Sequence, residues 1–300
     1  MRALLCKEPG PAAKLVIEDV PDPEAGRGEV VIDVMAAGLN FPDLLIIEGK
    51  YQLKPPLPFS PGAEVAGVVS EIGEGVSGIK PGDRVSATMF FGGFAEKVAV
   101  PANQVSRLAD TMPFEVGAAF TIAYGTSYHA LKQRAELREG ETLLVLGASG
   151  GVGLAAVELG RAMGARVIAA ASSPEKLETA KQHGAVETIN YSEENLKARA
   201  KALSGGRGVD VIYDPVGGDY SEAALRAIAV GGRHLVIGFA AGDIPKLPLN
   251  LTLLKQCQIV GVFWGAWAMA NPAEQAKNMA ELNAFFEAGD IKPLISEALP

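Results

Sequence analysis

The chain has 300 residues, 48% of them apolar, which is enough for about two domains with their own cores at the usual ~100–200 residues per domain. Its 27 basic and 35 acidic residues give a net charge of -8, and no clustered Lys and Arg suggest contact with nucleic acid or an anionic membrane. A disordered tail and a small stapled scaffold are excluded, and small molecules are the expected partners.

Cysteine usage and the N-terminus predict a cytoplasmic protein. The two cysteines, Cys6 and Cys257, form no C-x-x-C pair, so neither a zinc site nor a disulfide framework is predicted. The four apolar residues after Arg2 are too few for a signal peptide. The apolar centre of the longest uncharged stretch, residues 259–270, is shorter than the ~20 residues that span a bilayer.

The first 110 residues or so predict a β domain. Short β-like runs, broken by Gly and Pro, follow one another with turn chemistry between them, as in Pro81-Gly82-Asp83. This rhythm is typical of a barrel-like or meandering arrangement. The predicted strands are residues 29–34, 65–72, 84–87 and 94–100.

From about Gly140 the pattern changes to alternating strands and helices, which predicts βαβ units and a parallel sheet. Predicted strands are residues 143–146, 166–170, 186–189, 209–214, 233–238 and 257–263. Helices are predicted from Gly151, Pro174 and Ser192, and near Ser221. The fold class is therefore α/β, a doubly wound parallel sheet of the Rossmann type beside a β domain.

A glycine-rich turn, GASGGVG at residues 147–153, joins the first of these strands to its helix. This is the context of a dinucleotide-binding fingerprint, in which Gly150 lets the backbone approach a pyrophosphate and Gly153 lets helix and strand pack closely. Ala148 stands where the first glycine is usual. We expect the cofactor to contact the consecutive residues Ala148, Ser149, Gly150, Gly151 and Val152.

The end of the second strand predicts NADPH rather than NAD. An NAD site places an acidic residue there, whereas this chain has Ser172 and Ser173, with Lys176 nearby. Hydroxyls and a cation suit a 2′-phosphate. The alternative is that Ser173 only caps a helix and Lys176 is a surface charge.

The same turn also fits G-x-S-x-G, the nucleophile elbow of α/β-hydrolases. Asp214 and His234 follow Ser149 in the order of that family's triad. No H-G-G-G-type oxyanion segment precedes the turn, so a hydrolase is a remote alternative. The three histidines, His129, His183 and His234, lack partners at metal-ligand spacing, and structural roles are expected for them. Without ligands for a Lewis acid, an acceptor that is already electrophilic, such as a quinone or enone, is expected.

Taken together, these segments resemble the zinc-free quinone oxidoreductase (ζ-crystallin-like) branch of the medium-chain dehydrogenase/reductase superfamily. The resemblance rests on residues 140–161, with Glu158 where Gln is usual, and on three supporting segments, residues 37–43, 49–51 and 61–67. It implies an NADPH-dependent quinone or enone oxidoreductase, in which hydride moves from nicotinamide C4 to a conjugated carbonyl acceptor in a cleft between the domains. A 2-enoyl thioester or enal reductase and a redox-silent NADPH-binding protein are the alternatives.

The resemblance also implies roles for individual residues. Tyr51, Asn40 and Asp43 would line the reaction site, with Tyr51 or water as proton donor, and Thr126 would contact the nicotinamide. Tyr191 would join Lys176 near the 2′-phosphate, and the remaining cofactor contacts would be Phe239 and Phe263. Packing is the alternative for both tyrosines, and a turn for Asn40. The aromatic residues 263, 264 and 267 would either wall the acceptor or seal the core or an interface.

The implied domains are a GroES-like domain, residues 1–122 with residues 264–300 returning to it, and a Rossmann domain, residues 123–263. Relatives continue beyond the equivalent of Pro300, so the returning segment is expected to be truncated or closed differently. The unpaired strand at residues 258–263 implies a homodimer.

Overall fold

The computed structural model describes residues 1–299, so Pro300, the last residue of the predicted returning segment, lies outside the described part. The chain divides into two compact units. Unit 1 comprises residues 1–122 with the residues from Pro293 onward, and unit 2 comprises residues 123–292. Residues 264–292, predicted to return to the first domain, are instead grouped with the second.

Unit 1 contains two antiparallel sheets. Its strands are β1 (Arg2–Leu5), β2 (Val16–Asp19), β3 (Glu29–Gly38), β4 (Glu64–Ile72), β5 (Arg84–Thr88), β6 (Lys97–Pro101) and β7 (Val105–Arg107), and its short helices are α1 (Phe41–Ile47) and α2 (Phe114–Gly117). β1 pairs with β2, and the others form one sheet in the order β6-β3-β4-β5-β7. The core of that sheet is rich in valine, with Val30, Val65 and Val85 fully buried. Branched side chains suit such a pleated, buried surface.

Unit 2 holds a six-stranded parallel sheet. Its strands are β8 (Thr142–Leu146), β9 (Arg166–Ala171), β10 (Glu187–Asn190), β11 (Val209–Asp214), β12 (Ile228–Val236) and β13 (Gln258–Gly261). Their order in the sheet is β10-β9-β8-β11-β12-β13. From β8 to β10 successive strands are added on one side of β8, and from β11 to β13 they are added on the other side. Ligands bind at this switch point, between β8 and β11, in sheets of this type. The predicted fold class, a doubly wound parallel sheet with a separate β domain, is confirmed.

Helices cover the parallel sheet. They are α3 (Thr121–His129), which begins at the end of unit 1, α4 (Gly151–Ala162), α5 (Pro174–Gln182), α6 (Leu196–Leu203), α7 (Gly218–Arg226), α8 (Asn250–Lys255), α9 (Trp264–Ala270) and α10 (Pro272–Ala288). A π-helical turn at Ala130–Arg134 follows α3. The helix predicted from Ser192 begins later, at Leu196, because Asn195 is the residue that caps it: its side chain accepts from the Ala198 N–H at 2.9 Å.

Residues 264–292 belong with unit 2 because α10 packs there through polar contacts. The Tyr128 hydroxyl donates to Glu281 Oε2 at 2.6 Å, and Gln133 Nε2 donates to the buried Asn278 side chain at 2.9 Å. Tyr128 lies on α3, and Gln133 lies in the π-helical turn after it. Leaving the buried Asn278 amide without these partners would be costly, which favours this position of α10.

Candidate functional site

The glycine-rich turn lies at the carboxyl end of β8, beside the reversal point of the sheet. Gly147 has φ +57, a conformation that favours glycine. A Cβ on Gly153 would stand 2.1 Å from the Gly147 carbonyl oxygen, so this helical residue must be glycine for α4 to pack against the turn. A Cβ on Gly151 would meet nothing within 4 Å. The turn is therefore tightly packed at Gly153, while there is free space next to Gly151.

The start of α4 is suited to bind an anion. The first N–H groups of a helix lack partners within it, and the helix dipole favours negative charge at this end. Gly150 caps the helix with extended backbone and is exposed, as is Gly151. Ala148 is fully buried, while Ser149 and Val152 are half-buried. Open space beside Gly151 and a free helix start fit the pyrophosphate of a dinucleotide.

Three of the residues predicted for the 2′-phosphate lie together at the carboxyl ends of β9 and β10. Lys176 Nζ donates to Ser172 Oγ at 3.0 Å, and the Ser172 side chain opposes the rise that burial causes in the pKa of Tyr191. The Tyr191 N–H donates to the Ala171 carbonyl oxygen at 3.1 Å, which continues the pairing of the two strands. These side chains form what we call the Ser172 cluster, defined as Ser172, Lys176 and Tyr191.

Ser173 has a different task. It caps α5, and its side-chain oxygen accepts from the Lys176 N–H at 3.5 Å. The Ser173 side chain also lowers the pKa of the exposed Glu175 carboxyl. The structure therefore favours the capping alternative for Ser173.

The other predicted cofactor contacts are spread over unit 2. Thr126 is half-buried on α3. Phe239, after β12, packs against Gly217, where a Cβ would stand 2.9 Å from its ring. Phe263 follows β13 and is 59% exposed. The structure gives each a position near a strand end or on α3 but records no contact among the three.

The two tryptophans pack inside unit 2. Trp264 lies against Gly125, where a Cβ would be 2.9 Å from the indole ring, and its Nε1 donates to Gln275 Oε1 at 3.1 Å. Trp267 stacks on His129 with ring centroids 4.1 Å apart. For both side chains the structure favours the packing alternative over an acceptor wall.

In unit 1, Asn40 and Asp43 are brought together at the start of α1. The Asn40 N–H donates to Asp43 Oδ2 at 2.8 Å. Burial raises the pKa of Asp43, and the backbone N–H groups of Asn40, Gly62 and Ala63 oppose that effect. Asp43 is 2% exposed, so its carboxyl fixes the backbone around Asn40 instead of reaching solvent.

Tyr51 packs beside an apolar cluster of unit 1. The buried members of the cluster are Cys6, Ile46, Ile47 and Phe59. This burial raises the pKa of the Tyr51 phenol. At neutral pH the hydroxyl therefore keeps its proton and is able to donate it.

Glu64 was not predicted as a site residue, yet it is fully buried next to Asn40. Its Oε1 accepts from the Ile122 N–H at 2.9 Å, and Asn40 Nδ2 donates to its Oε2 at 3.4 Å. Burial raises its pKa to about 8, with a further contribution from the charge of Asp43. The available sequence signal was a lone acidic residue opening an apolar strand.

The Asp214 and His234 side chains are paired but do not form a hydrolase triad. His234 Nε2 lies 3.1 Å from Asp214 Oδ2, and both residues are nearly inaccessible. The hydroxyl bonded to Asp214 is that of Ser221, at 2.5 Å, and not that of Ser149. Asp214 Oδ1 also accepts from the N–H groups of Val216 and Gly217. Asp214, with these partners, fixes the loop after β11. Because Asp214 and His234 are engaged there, the structure does not support Ser149 as the nucleophile of a hydrolase triad.

The remaining histidine, His183, pairs with the buried Glu158, its Nδ1 2.6 Å from Glu158 Oε1. Glu158 Oε2 accepts from the Tyr124 hydroxyl at 2.5 Å. Within residues 1–299, no group of three or more His, Cys, Asp or Glu side chains is arranged to hold a metal ion. In the same part of the chain, no helix combines the length and apolarity needed to cross a membrane.

Comparison with known proteins gives matches over both units. Residues 26–110 match the alcohol dehydrogenase GroES-like domain, and residues 151–283 match the zinc-binding dehydrogenase family. The chain is 40% identical over 299 residues to quinone oxidoreductase-like protein 2 homolog of Nematostella vectensis, covering 98% of this chain and 81% of that protein. It is 37% identical over 293 residues to the quinone oxidoreductase of Rattus norvegicus, covering 97% and 87% respectively.

Among solved structures, the chain is similar to Escherichia coli quinone oxidoreductase complexed with NADPH. The TM-score is 0.92 and the sequence identity 29%, with 99% of this chain and 91% of that chain covered.

Proposed function

The chain belongs to the quinone oxidoreductase family of the medium-chain dehydrogenase/reductase superfamily, and on that premise we propose that it uses NADPH to reduce a conjugated carbonyl acceptor, a quinone or an enone. One observation carries the proposal: the open glycine turn and the Ser172 cluster both lie at the carboxyl ends of neighbouring strands of the parallel sheet. A dinucleotide with a 2′-phosphate needs both features.

The chain's own residues would hold the cofactor by charge and hydrogen bonds. The N–H groups at the start of α4 would bind the pyrophosphate. Lys176 would neutralise the 2′-phosphate, and Ser172 and Tyr191 would donate hydrogen bonds to it. Thr126, Phe239 and Phe263 would contact the nicotinamide end. When bound, NADPH supplies the hydride.

In unit 1, Asn40 would orient the acceptor. Asp43 would act as a positioning residue, because its carboxyl is committed to the backbone at the start of α1. Tyr51, or a water molecule, would supply the proton that the reduced oxygen requires. Positioning and exclusion of water would provide most of the rate enhancement.

We also propose that the protein is a cytoplasmic homodimer that pairs through residues 258–263. β13 is an edge strand whose second side has no strand partner within the described chain. Edge strands of this kind invite pairing with another chain. Leu253 and Leu254, on the preceding helix, are exposed apolar residues.

Turnover with a panel of acceptors tests the proposed function. NADPH oxidation is measured without oxygen in the presence of quinones, enones or enoyl-CoA thioesters. We expect consumption of NADPH with a quinone or a simple enone. Faster turnover of the enoyl thioesters would favour the 2-enoyl reductase alternative, and no consumption with any acceptor would leave a redox-silent binding protein.

A charge substitution on α5 provides the matched control. Lys176→Ala should raise the KM for NADPH and leave kcat nearly unchanged, because Lys176 would contribute to binding alone. Lys181→Ala, at an exposed lysine of the same helix that lies outside the Ser172 cluster, should change neither value. Equal effects of the two substitutions would reduce Lys176 to a surface charge.

A further inference from the structure

Tyr220 on α7 contacts the Ser172 cluster through the ring of Tyr191. The two ring centroids are 4.2 Å apart and the ring planes are inclined by 40°. We propose that Tyr220 is a positioning residue that gives the protein its preference for NADPH over NADH by holding Tyr191 beside Ser172. This inference rests on the proposed function, and it concerns a residue that would not itself bind the cofactor.

The sheet fixes the backbone of Tyr191, and its side chain lies at the margin of the apolar core of unit 2. It follows the last residue of β10, and its N–H donates to the Ala171 carbonyl oxygen. Its side chain is half-buried, with Ser172 on one side and Tyr220 as its ring partner. A long aromatic side chain at a strand end loses conformational freedom when it is ordered, and a ring contact offsets that cost.

Tyr220 is itself firmly placed. It lies in the first turn of α7 and packs against the buried apolar core of unit 2. The adjacent Ser221 donates to the buried Asp214 carboxylate at 2.5 Å, and the same carboxylate accepts from the Gly217 N–H at 2.9 Å. The start of α7 is therefore anchored to the end of β11, and Tyr220 is held on a rigid element.

The cluster that results is selective for a phosphate. Lys176 carries the positive charge, while Ser172 and Tyr191 offer hydroxyl groups to the same locus. Burial, together with the neighbouring Tyr220, raises the pKa of Tyr191, so its phenol remains neutral and can donate a hydrogen bond. A phosphate dianion gains from each of these groups, whereas a ribose hydroxyl gains little from an added cation. Loosening Tyr191 should thus weaken NADPH binding and spare NADH binding.

Calorimetric titration of NADPH and of NADH into the 300-residue protein tests the inference without requiring turnover. For Tyr220→Leu we expect the Kd for NADPH to rise about five-fold, the size of one aromatic contact, with the Kd for NADH unchanged. Tyr220→Phe keeps the ring and should bind both cofactors like the unsubstituted protein. If Tyr220→Leu weakens both cofactors equally, or neither, Tyr220 has only a structural role and the inference is wrong.

A double-mutant cycle decides whether Tyr220 acts through Tyr191. In a Tyr191→Leu background, Tyr220→Leu should cause no further loss of NADPH affinity, and an additive loss would overturn the inference. Tyr220→Met replaces Tyr220→Leu in both experiments if the leucine variant does not fold. Measurements on the unsubstituted protein distinguish a failure of the proposed function from a failure of the inference about Tyr220. If it binds NADPH no better than NADH, the proposed cofactor preference fails together with the inference. If it prefers NADPH and Tyr220→Leu keeps that preference, only the inference fails.

Discussion

Glu64 combines full burial with few hydrogen-bonding partners. Its side chain accepts hydrogen bonds from the N–H of Ile122 and from the amide of Asn40. Burial of a carboxylate is costly, and Asp43 adds a like charge nearby, so the pKa of Glu64 is raised to about 8. At neutral pH the folded protein therefore keeps this side chain protonated.

This raised pKa predicts a pH dependence of stability. The unfolded chain releases the Glu64 proton near pH 4.5, whereas the folded chain holds it up to about pH 8. Between these values the folded state binds more protons, so the free energy of unfolding should fall as pH rises through this window, by up to a few kcal/mol from this group. Urea unfolding at a series of pH values measures the slope.

The isosteric variant Glu64→Gln isolates the contribution of this group. Glutamine keeps an acceptor for the Ile122 N–H and cannot ionise, so the variant should lose the part of the slope that belongs to Glu64. Its stability relative to the unsubstituted protein should therefore increase from pH 5 to pH 8. Parallel pH profiles for the two proteins would mean that Glu64 is ionised in the folded state.

At the scale of the elements, the alternating half of the fold is predictable because its signals are local. Runs rich in Leu, Val and Ile next to a glycine identify β8 and β11, and the Ser173-Pro174 pair marks the start of α5 correctly. By contrast, α3 has no such signal. Its residues are mostly buried on all sides, and Gly125 in its middle serves the packing of Trp264. Such a helix has neither an amphipathic periodicity nor a capping residue from which the sequence could predict it.

The site residues also divide into those that local sequence signals predict and those that they do not. Ser172, Lys176 and Tyr191 come together because carboxyl ends of neighbouring parallel strands meet at one edge, which the strand order alone implies. Tyr220 and Glu64 act through contacts with residues far away in sequence, Tyr191 and Ile122. Such contacts require the folded chain, and no local pattern predicts them.

The edge strand β13 carries the prediction about assembly. The Val262 N–H donates to the Val236 carbonyl oxygen of β12, so by alternation the Ile259 N–H faces the open side. Ile259→Pro removes that donor, which an edge strand tolerates, and should leave a folded protein that no longer dimerises. Light scattering after size-exclusion chromatography gives the mass.

Ile259→Thr is the matched control, because it keeps the N–H and should remain dimeric. The Gly261 carbonyl oxygen on this edge already accepts from Arg134 Nε at 3.1 Å, so pairing must displace that contact or pass beside it. An unsubstituted protein that is monomeric at all concentrations, or an unaltered dimer of Ile259→Pro, would contradict pairing through this strand.

At the scale of the whole molecule, the net charge of -8 opposes the approach of an anionic cofactor. Attraction must therefore be local, and in the proposed function the start of α4 and Lys176 in unit 2 would supply it. The region around Asn40 in unit 1 has no such positive charge among the groups described above and instead contains the buried carboxyl groups of Asp43 and Glu64.

Transfer of label from NADPH to the acceptor shows directly whether the protein catalyses hydride transfer. NADPH carrying deuterium at nicotinamide C4, on one face at a time, is incubated with an enone that the protein reduces, and the product is analysed by NMR. We predict that deuterium from one of the two labelled forms appears on the β-carbon of the product and that turnover with that form is slower. Consumption of NADPH without label in the product, or no reduction of any conjugated acceptor, would contradict the proposed hydride transfer.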